Sequence, residues 1–269
     1  MATANLSELV TRFGASDSPD ADLLARFAAS RDEAAFAELV RRHGGTVFGV
    51  CRRVTGNHHL AEDAFQAVFV VLATKAASLR PRSAVAAFLH GVAFRTSLRA
   101  RTMADRRRRR ESTVDTLPEV GTNPPEVCDA VALLDEAIAE LPESLRLPVV
   151  LCELEGGTRA EVALRLGIPE GTLSSRLASA RKVLAGRLRN RGVVLSAAGL
   201  SLVLGQVASA SAPAGLAARA VAAAVTPGSA PGPVAELSSG VLRVMFLHKL
   251  KAVVPLAGLL AVALFAGVL

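Results

Sequence analysis

From residue 18 to about 110, and again from 130 to 191, apolar residues return at intervals of three and four, the signature of helices with one buried face. The breaks between them are chemically marked. Pro19 follows Ser18 where a first helical turn can begin. Asp32 can cap a helix that carries Phe36, Leu39, Val40, Val47, Cys51 and Val54 on one broad face. Gly56-Asn57 ends it and opens the next, in which Leu60, Ala64, Ala67, Val68, Val71 and Leu72 repeat. Pro81-Arg82-Ser83 makes another break, and Val85, Phe88, Leu89, Val92 and Leu98 mark a fourth helix. Residues 111–129 hold Pro118, Gly121, Pro124 and Pro125 and no sustained period, as a linker would. The second helical stretch is interrupted at Leu141-Pro142, Gly156-Gly157 and Gly167-Ile168-Pro169. An all-α chain is expected, with two small helical domains, 18–110 and 130–191, joined by that linker. Residues 192–240 are rich in Ala, Ser, Gly and Pro; Val193–Ala208 can form a helix, and Ser211–Ser239 reads as a flexible spacer. Residues 241–269 are apolar again.

Charge follows these zones more closely than the net +7 suggests. Residues 80–110 hold ten Arg against Asp105 alone, a local +9. Residues 111–155 hold eleven acids against Arg146 alone, a local −10. Residues 176–191 hold six basic residues and no acid. A basic–acidic–basic order is uncommon in a plain soluble enzyme. The three cysteines, Cys51, Cys128 and Cys152, are far apart and form no CxxC, which argues against a disulfide framework or a structural zinc site and fits a reducing cytoplasm. The N-terminal stretch with Glu8, Arg12 and Asp17 lacks the apolar run of a signal peptide.

Three stretches can carry function. In residues 158–184, Thr158 and Glu161 make a capping box, Val162, Ala163 and Leu166 a short amphipathic helix, Gly167 a sharp turn, and Pro169 a new start. Leu173, Leu177, Ala180 and Leu184 then line one face of a second helix, and Thr172, Ser175, Arg176, Ser179 and Lys182 the other. This is a helix-turn-helix whose second helix suits a major groove, or else a plain helical hairpin with a solvated face; the basic tail Arg181–Arg191 favours DNA. Within Arg95–Arg110, the run Arg106–Arg110 continues a helix that already carries Arg95, Arg99 and Arg101, which favours polyanion binding over a solvated tail, with salt-sensitive affinity. Glu62, Asp63 and Gln66 share one polar stripe of a mostly apolar helix, either a solvated face or a dock for a basic partner. Catalytic signatures are missing. There is no GxGxxG, P-loop, GxSxG or HExxH; His58 and His59 read as helix-start residues, and Cys51 and Cys152 as core. No cofactor, metal or small-molecule substrate is expected.

DLLARFAASRDEAAFAELVRRH, HHLAEDAFQAVFVVLATKA and VAAFLHGVAFRTSLRAR resemble region 2 of the extracytoplasmic-function sigma factors, and IAELPESLRLPVVLCELEGGTRAEVALRLGIPEGTLSSRLASARKVLAGRL resembles their region 4, in the right order and separation. The arrangement is most similar to planctomycete-like members with an apolar C-terminal extension. The resemblance implies a factor that binds core RNA polymerase and recognises promoter DNA. It assigns Glu62, Asp63, Gln66 and Phe69 to the polymerase clamp, and Phe88, His90, Arg95, Arg99 and Arg101 to the −10 element. Residues 159–178 fall to the −35 element, extended by Ser179, Arg181 and Lys182. The acidic linker matches the segment that threads polymerase's RNA path, and an anti-sigma factor joins the partners to be considered. Phe88 stands where Trp, and Phe94 where Tyr, is common in the family; Ser174 replaces a frequent Lys and Glu153 a common Tyr.

Two other readings stay open at this level. One is a helix-turn-helix regulator acting on DNA without polymerase, which leaves the 60–110 helices unexplained. The other is a membrane-tethered adaptor. Ala252–Leu269 is eighteen residues without charge, at the lower limit for a bilayer span, and Arg243, Lys249 and Lys251 precede it. A cytoplasmic chain anchored to the inner membrane by 252–269, N-terminal side inside, is therefore expected, against the alternative of a helix docked on protein.

Overall fold

A computed structural model of the chain describes residues 18–80, 84–111, 127–193, 199, 203–204, 212–226 and 228–246. Among them every regular element is helical. Helix α1 (Asp20–Ser30) starts after Pro19 and stops at Arg31, which takes a left-handed φ of 56°. Helix α2 (Glu33–Thr55) is capped by Asp32, whose side chain accepts from the Ala35 N–H, and ends at Gly56 with φ 62°. Asn57 caps α3 (His58–Lys75) in the same way through the Leu60 N–H. Helix α4 (Val85–Glu111) follows, and α5 (Val127–Ala139) begins the second group. Of the expected linker, 111 and 127–129 are helical, and 112–126 lie outside the described residues.

Helices α1–α4 enclose one core. Phe27, Phe36, Phe65 and Phe69 are fully buried in it and contact one another at ring-centroid distances of 4.4 Å (Phe27–Phe36), 6.3 Å (Phe36–Phe69) and 5.0 Å (Phe65–Phe69). Each such side chain contributes roughly 1.5–3 kcal/mol by leaving water. Helix α3 buries residues on every side, from Ala61 and Phe65 to Ala67 and Val71. A mostly apolar helix needs cover on most of its sides, and α1, α2 and α4 supply only part of it.

The second core is built from α5, α6 (Glu143–Val149) with a π-helical turn at Val150–Leu154, α7 (Arg159–Leu166) and α8 (Glu170–Asn190). Leu134, Ile138, Leu151, Leu173 and Leu184 are buried there, and Ala86 of α4 joins them, so the two helical groups share packing.

The expected spacer is not one. Ala214–Val225 forms helix α9 after Pro213, and residues 232–246 form helix α10. The composition that reads as low complexity is largely alanine, the best helix former. Leu216, Ala220, Val221 and Ala224 fall on one face and enter the first core. Of Val193–Ala208, the described residues include Val203 and Leu204, which are helical, and Leu204 is buried in the second core.

Candidate nucleic-acid interface

The helix-turn-helix is fixed by local chemistry. The Thr158 hydroxyl accepts from the Glu161 N–H at 3.3 Å, and the Glu161 carboxylate accepts from the Thr158 N–H at 3.0 Å. Gly167 turns the chain at φ 64°, and α8 restarts at once. Leu173, Leu177, Ala180, Leu184 and Leu188 anchor α8. Its outer face then presents Thr172, Ser175, Ser179 and Lys182 to solvent, with Arg176 half-buried beside them. Arg181 is not free with that set; it pairs with Glu153.

Helix α4 carries the other basic surface. Arg101 and Arg106–Arg110 are exposed. Arg101 donates to the Val54 carbonyl at 3.2 Å, and Arg108 meets Asp105 at 3.3 Å. Further up the helix the expected DNA contacts point inward. His90 is only 1% exposed and lies 3.4 Å from Asp135, with its Nδ1 lacking a hydrogen-bond partner among the described residues. Burial, partly offset by Asp135, holds its pKa below the ordinary histidine value. Phe88 packs against the first core. Arg95 and Arg99 are half-buried, each with its Nε unpartnered among the described residues. Burial, and then the nearby Arg146, pull Arg95 below the usual arginine value. A cleft of about 330 Å³ contains both, roofed by Gly240, Val241 and Val244 of α10.

The α3 stripe is covered as well. Gln66 is buried and Phe69 is a core residue between Phe36 and Phe65, so in this conformation neither is available to a partner. Glu62 and Asp63 keep partial exposure beneath α9, where Arg219 lies 3.2 Å from Glu62. Burial and the adjacent Glu62 raise the Asp63 carboxyl. His58 sits 3.3 Å from Glu62, and among the described residues no group of three or more His, Cys, Asp or Glu could hold a metal ion.

Two ionic clusters that sequence reasoning missed join the helical groups. Arg53 of α2 makes a forked pair with Asp135 of α5, at 2.7 and 3.0 Å. His43, in the middle of α2 and 1% exposed, lies between two carboxylates: Nε2 is 2.8 Å from Asp20 and Nδ1 is 2.6 Å from Glu155, just past the π turn. A neutral imidazole has one N–H, so donating on both sides requires the cation. Burial opposes that charge, but Glu155 and Asp20 outweigh it and lift the pKa from 6.5 to about 9. Asp20 also receives Arg42 at 2.9 Å and Arg165 of α7. Burial raises Asp20, but these partners prevail and hold it far below the usual carboxylate range. The available signal was a lone histidine within an apolar stripe; nothing local named its partners.

Family comparison matches this division. A sigma-70 region 2 model covers residues 39–111 and a sigma-70 region 4 model covers 132–184. Over 178 residues the chain is 34% identical to the ECF RNA polymerase sigma factor SigM of Mycobacterium tuberculosis, spanning 64% of this chain and 86% of that one. The chain belongs to the ECF RNA polymerase sigma factors. It is also 32% identical over 172 residues to SigE of Mycolicibacterium smegmatis, where the match spans 59% of this sigma factor and 64% of the relative's length. Among solved structures, the sigma factor RpoE in complex with the anti-sigma factor NepR from Bartonella quintana aligns at 22% identity and TM-score 0.25, over 53% of this chain and 89% of that one. Helices α1–α4 thus contain region 2 and α5–α8 contain region 4, while α9 and α10 lie beyond both matches. No helix among the described residues is long and apolar enough to cross a membrane. The expected anchor, 252–269, lies outside the described residues.

Proposed function

We propose that this sigma factor, acting by binding rather than by catalysis, recruits core RNA polymerase through the α3 surface around Glu62 and Asp63 and places promoter DNA on two separate readers. Arg95, Arg99, Arg101 and Arg106–Arg110 of α4 serve the −10 side, where Phe88 can stack on an unpaired base. Thr172, Ser175, Arg176, Ser179 and Lys182 of α8 serve the −35 side, with Arg181 once it leaves Glu153. Phe69 and Gln66 support the α3 surface from beneath, and His90 belongs to the joint between the regions. The observation that carries this reading is the pair of buried guanidinium nitrogens on α4, Nε of Arg95 and of Arg99, that lack partners among the described residues: donors without acceptors suit a helix whose acceptors arrive with DNA.

The names of the two elements imply a separation of about 25 base pairs, roughly 85 Å at about 3.4 Å per pair. Regions joined through His43 and Arg53 do not span that distance, so engagement of both elements requires them to part. Adding the chain to core polymerase should give initiation from a matched promoter, and failure to associate with core polymerase overturns the reading. Footprinting without polymerase separates it from a stand-alone regulator, which would protect a palindromic site by itself. An anti-sigma factor competing for α3, and membrane attachment through 252–269, extend the proposal. Recovery of the full-length chain in the soluble fraction after membranes are pelleted would remove the latter.

A further inference from the structure

We propose that α9 and α10 form an intramolecular arm that occupies the polymerase- and −10-binding surface of region 2, so that polymerase must displace the arm in order to bind. The inference rests on the assignment of α3 and α4 above.

Three observations converge. First, α9 packs on α2 and α3, placing Leu216 and Ala220 in the first core and Arg219 against Glu62, one of the two acids assigned to polymerase. Second, α10 fills the groove between α3 and α4. Its Val234 and Leu237 are buried with Ala67 of α3 and Ala100 of α4, and its Gly240 rests on Arg99. The arm thus spans both assigned surfaces and covers apolar residues of α3 and α4 that the other helices leave open. Third, among the described residues the arm leaves the −35 face of α8 uncovered: Thr172, Ser175, Ser179 and Lys182 stay exposed. Among the described residues, what α9 and α10 cover is the surface that serves polymerase and the melted strand.

The arm also indicates the chemistry of what replaces it. It meets Glu62 and Asp63 with one arginine on a helix of small apolar residues. A polymerase element able to displace it must offer a comparable basic and apolar face. Affinity is reduced by the fraction of chains in which the arm is closed, because only open chains are competent to bind.

The geometry permits a reversible lock. A Cβ built on Gly44 of α2 would lie 3.5 Å from the Ala212 Cβ, just ahead of α9 and within disulfide range. The full-length Gly44→Cys/Ala212→Cys variant, oxidised, should bind core polymerase at least tenfold more weakly than the same protein reduced, with each single variant as control. Full-length Ala220→Glu places a carboxylate at a fully buried site and should bind several-fold more tightly than the unaltered chain. Equal binding by the oxidised, reduced and Ala220→Glu proteins overturns the arm's role and leaves the sigma reading standing. Binding by none of them overturns the assignment of α3 itself.

Discussion

His43 offers a direct test of how the two regions are held. Its pKa is raised from 6.5 to about 9 by the carboxylates of Asp20 and Glu155. A raised folded-state pKa stabilises below the unfolded value, and that stabilisation is lost as pH climbs through the folded value. The contribution is therefore complete below 6.5 and gone above about 9. The full difference corresponds to about 3 kcal/mol, and about 2 kcal/mol remains at roughly pH 7.5. His43→Gln keeps a polar side chain but removes the cation. Urea unfolding at about pH 6 should show a loss of about 3 kcal/mol relative to the parent, shrinking to a few tenths by about pH 10. Comparing variant with parent at each pH cancels the titrating groups that do not touch His43. Small-angle scattering at the lower pH should show a larger radius of gyration in the variant, because Glu155 belongs to region 4 and Asp20 to region 2. An equal loss at both pH values would mean that His43 acts by packing alone, and the ionic account of the joint would be wrong.

Other consequences can be checked separately. Arg176→Glu should weaken binding of a −35 duplex more than tenfold and make its salt dependence shallower by about one counterion; an unchanged salt slope would place Arg176 off the phosphates. Phe69→Ala should cost about 3–5 kcal/mol in thermal or urea unfolding, as expected of a ring lost from the Phe27–Phe36–Phe65 core; loss of polymerase binding at full stability would make it a surface contact instead. Thr158→Ala should cost about 0.5–2 kcal/mol by opening the capping box, read from urea unfolding. Cys51, whose thiol burial pushes up to about 12, should resist a thiol reagent until the chain unfolds, and prompt labelling under native conditions would contradict the burial.

What could be read from the chain was whatever is decided within a few residues. The stops at Gly56 and Gly167, the caps at Asp32 and Asn57 and the capping box at Thr158 each depend on neighbours three or four positions away. The arm was lost for the opposite reason. Its alanines and prolines look featureless until Leu216 and Ala220 are set against α3, and helices in such sequences owe their stability to packing more than to propensity. The polar candidates divided similarly. Those on α8 other than Arg181 stayed outside because Leu173, Leu177, Ala180, Leu184 and Leu188 take the packing on the opposite face. Gln66, Phe69, His90 and Arg95 were claimed by helices 45 or more positions away, or by the core itself, as His90 was by Asp135.

The π turn at Val150–Leu154 has a bearing on how such a chain can vary. Pro148 lies just before it, and the Glu155 N–H reaches back five positions to the Val150 carbonyl at 2.9 Å. A turn of this kind holds one residue more than an α-helical turn. Rewinding the same residues as regular α-helix would swing everything beyond the turn by about 100°. Glu153 would turn away from Arg181, and Glu155 away from His43. The fit of region 4 against region 2 is thus a question of phase as much as of side-chain identity. A substitution that favours regular α-helical winding here would unclasp the two halves while leaving His43, Glu155, Arg181 and Glu153 all present in the chain.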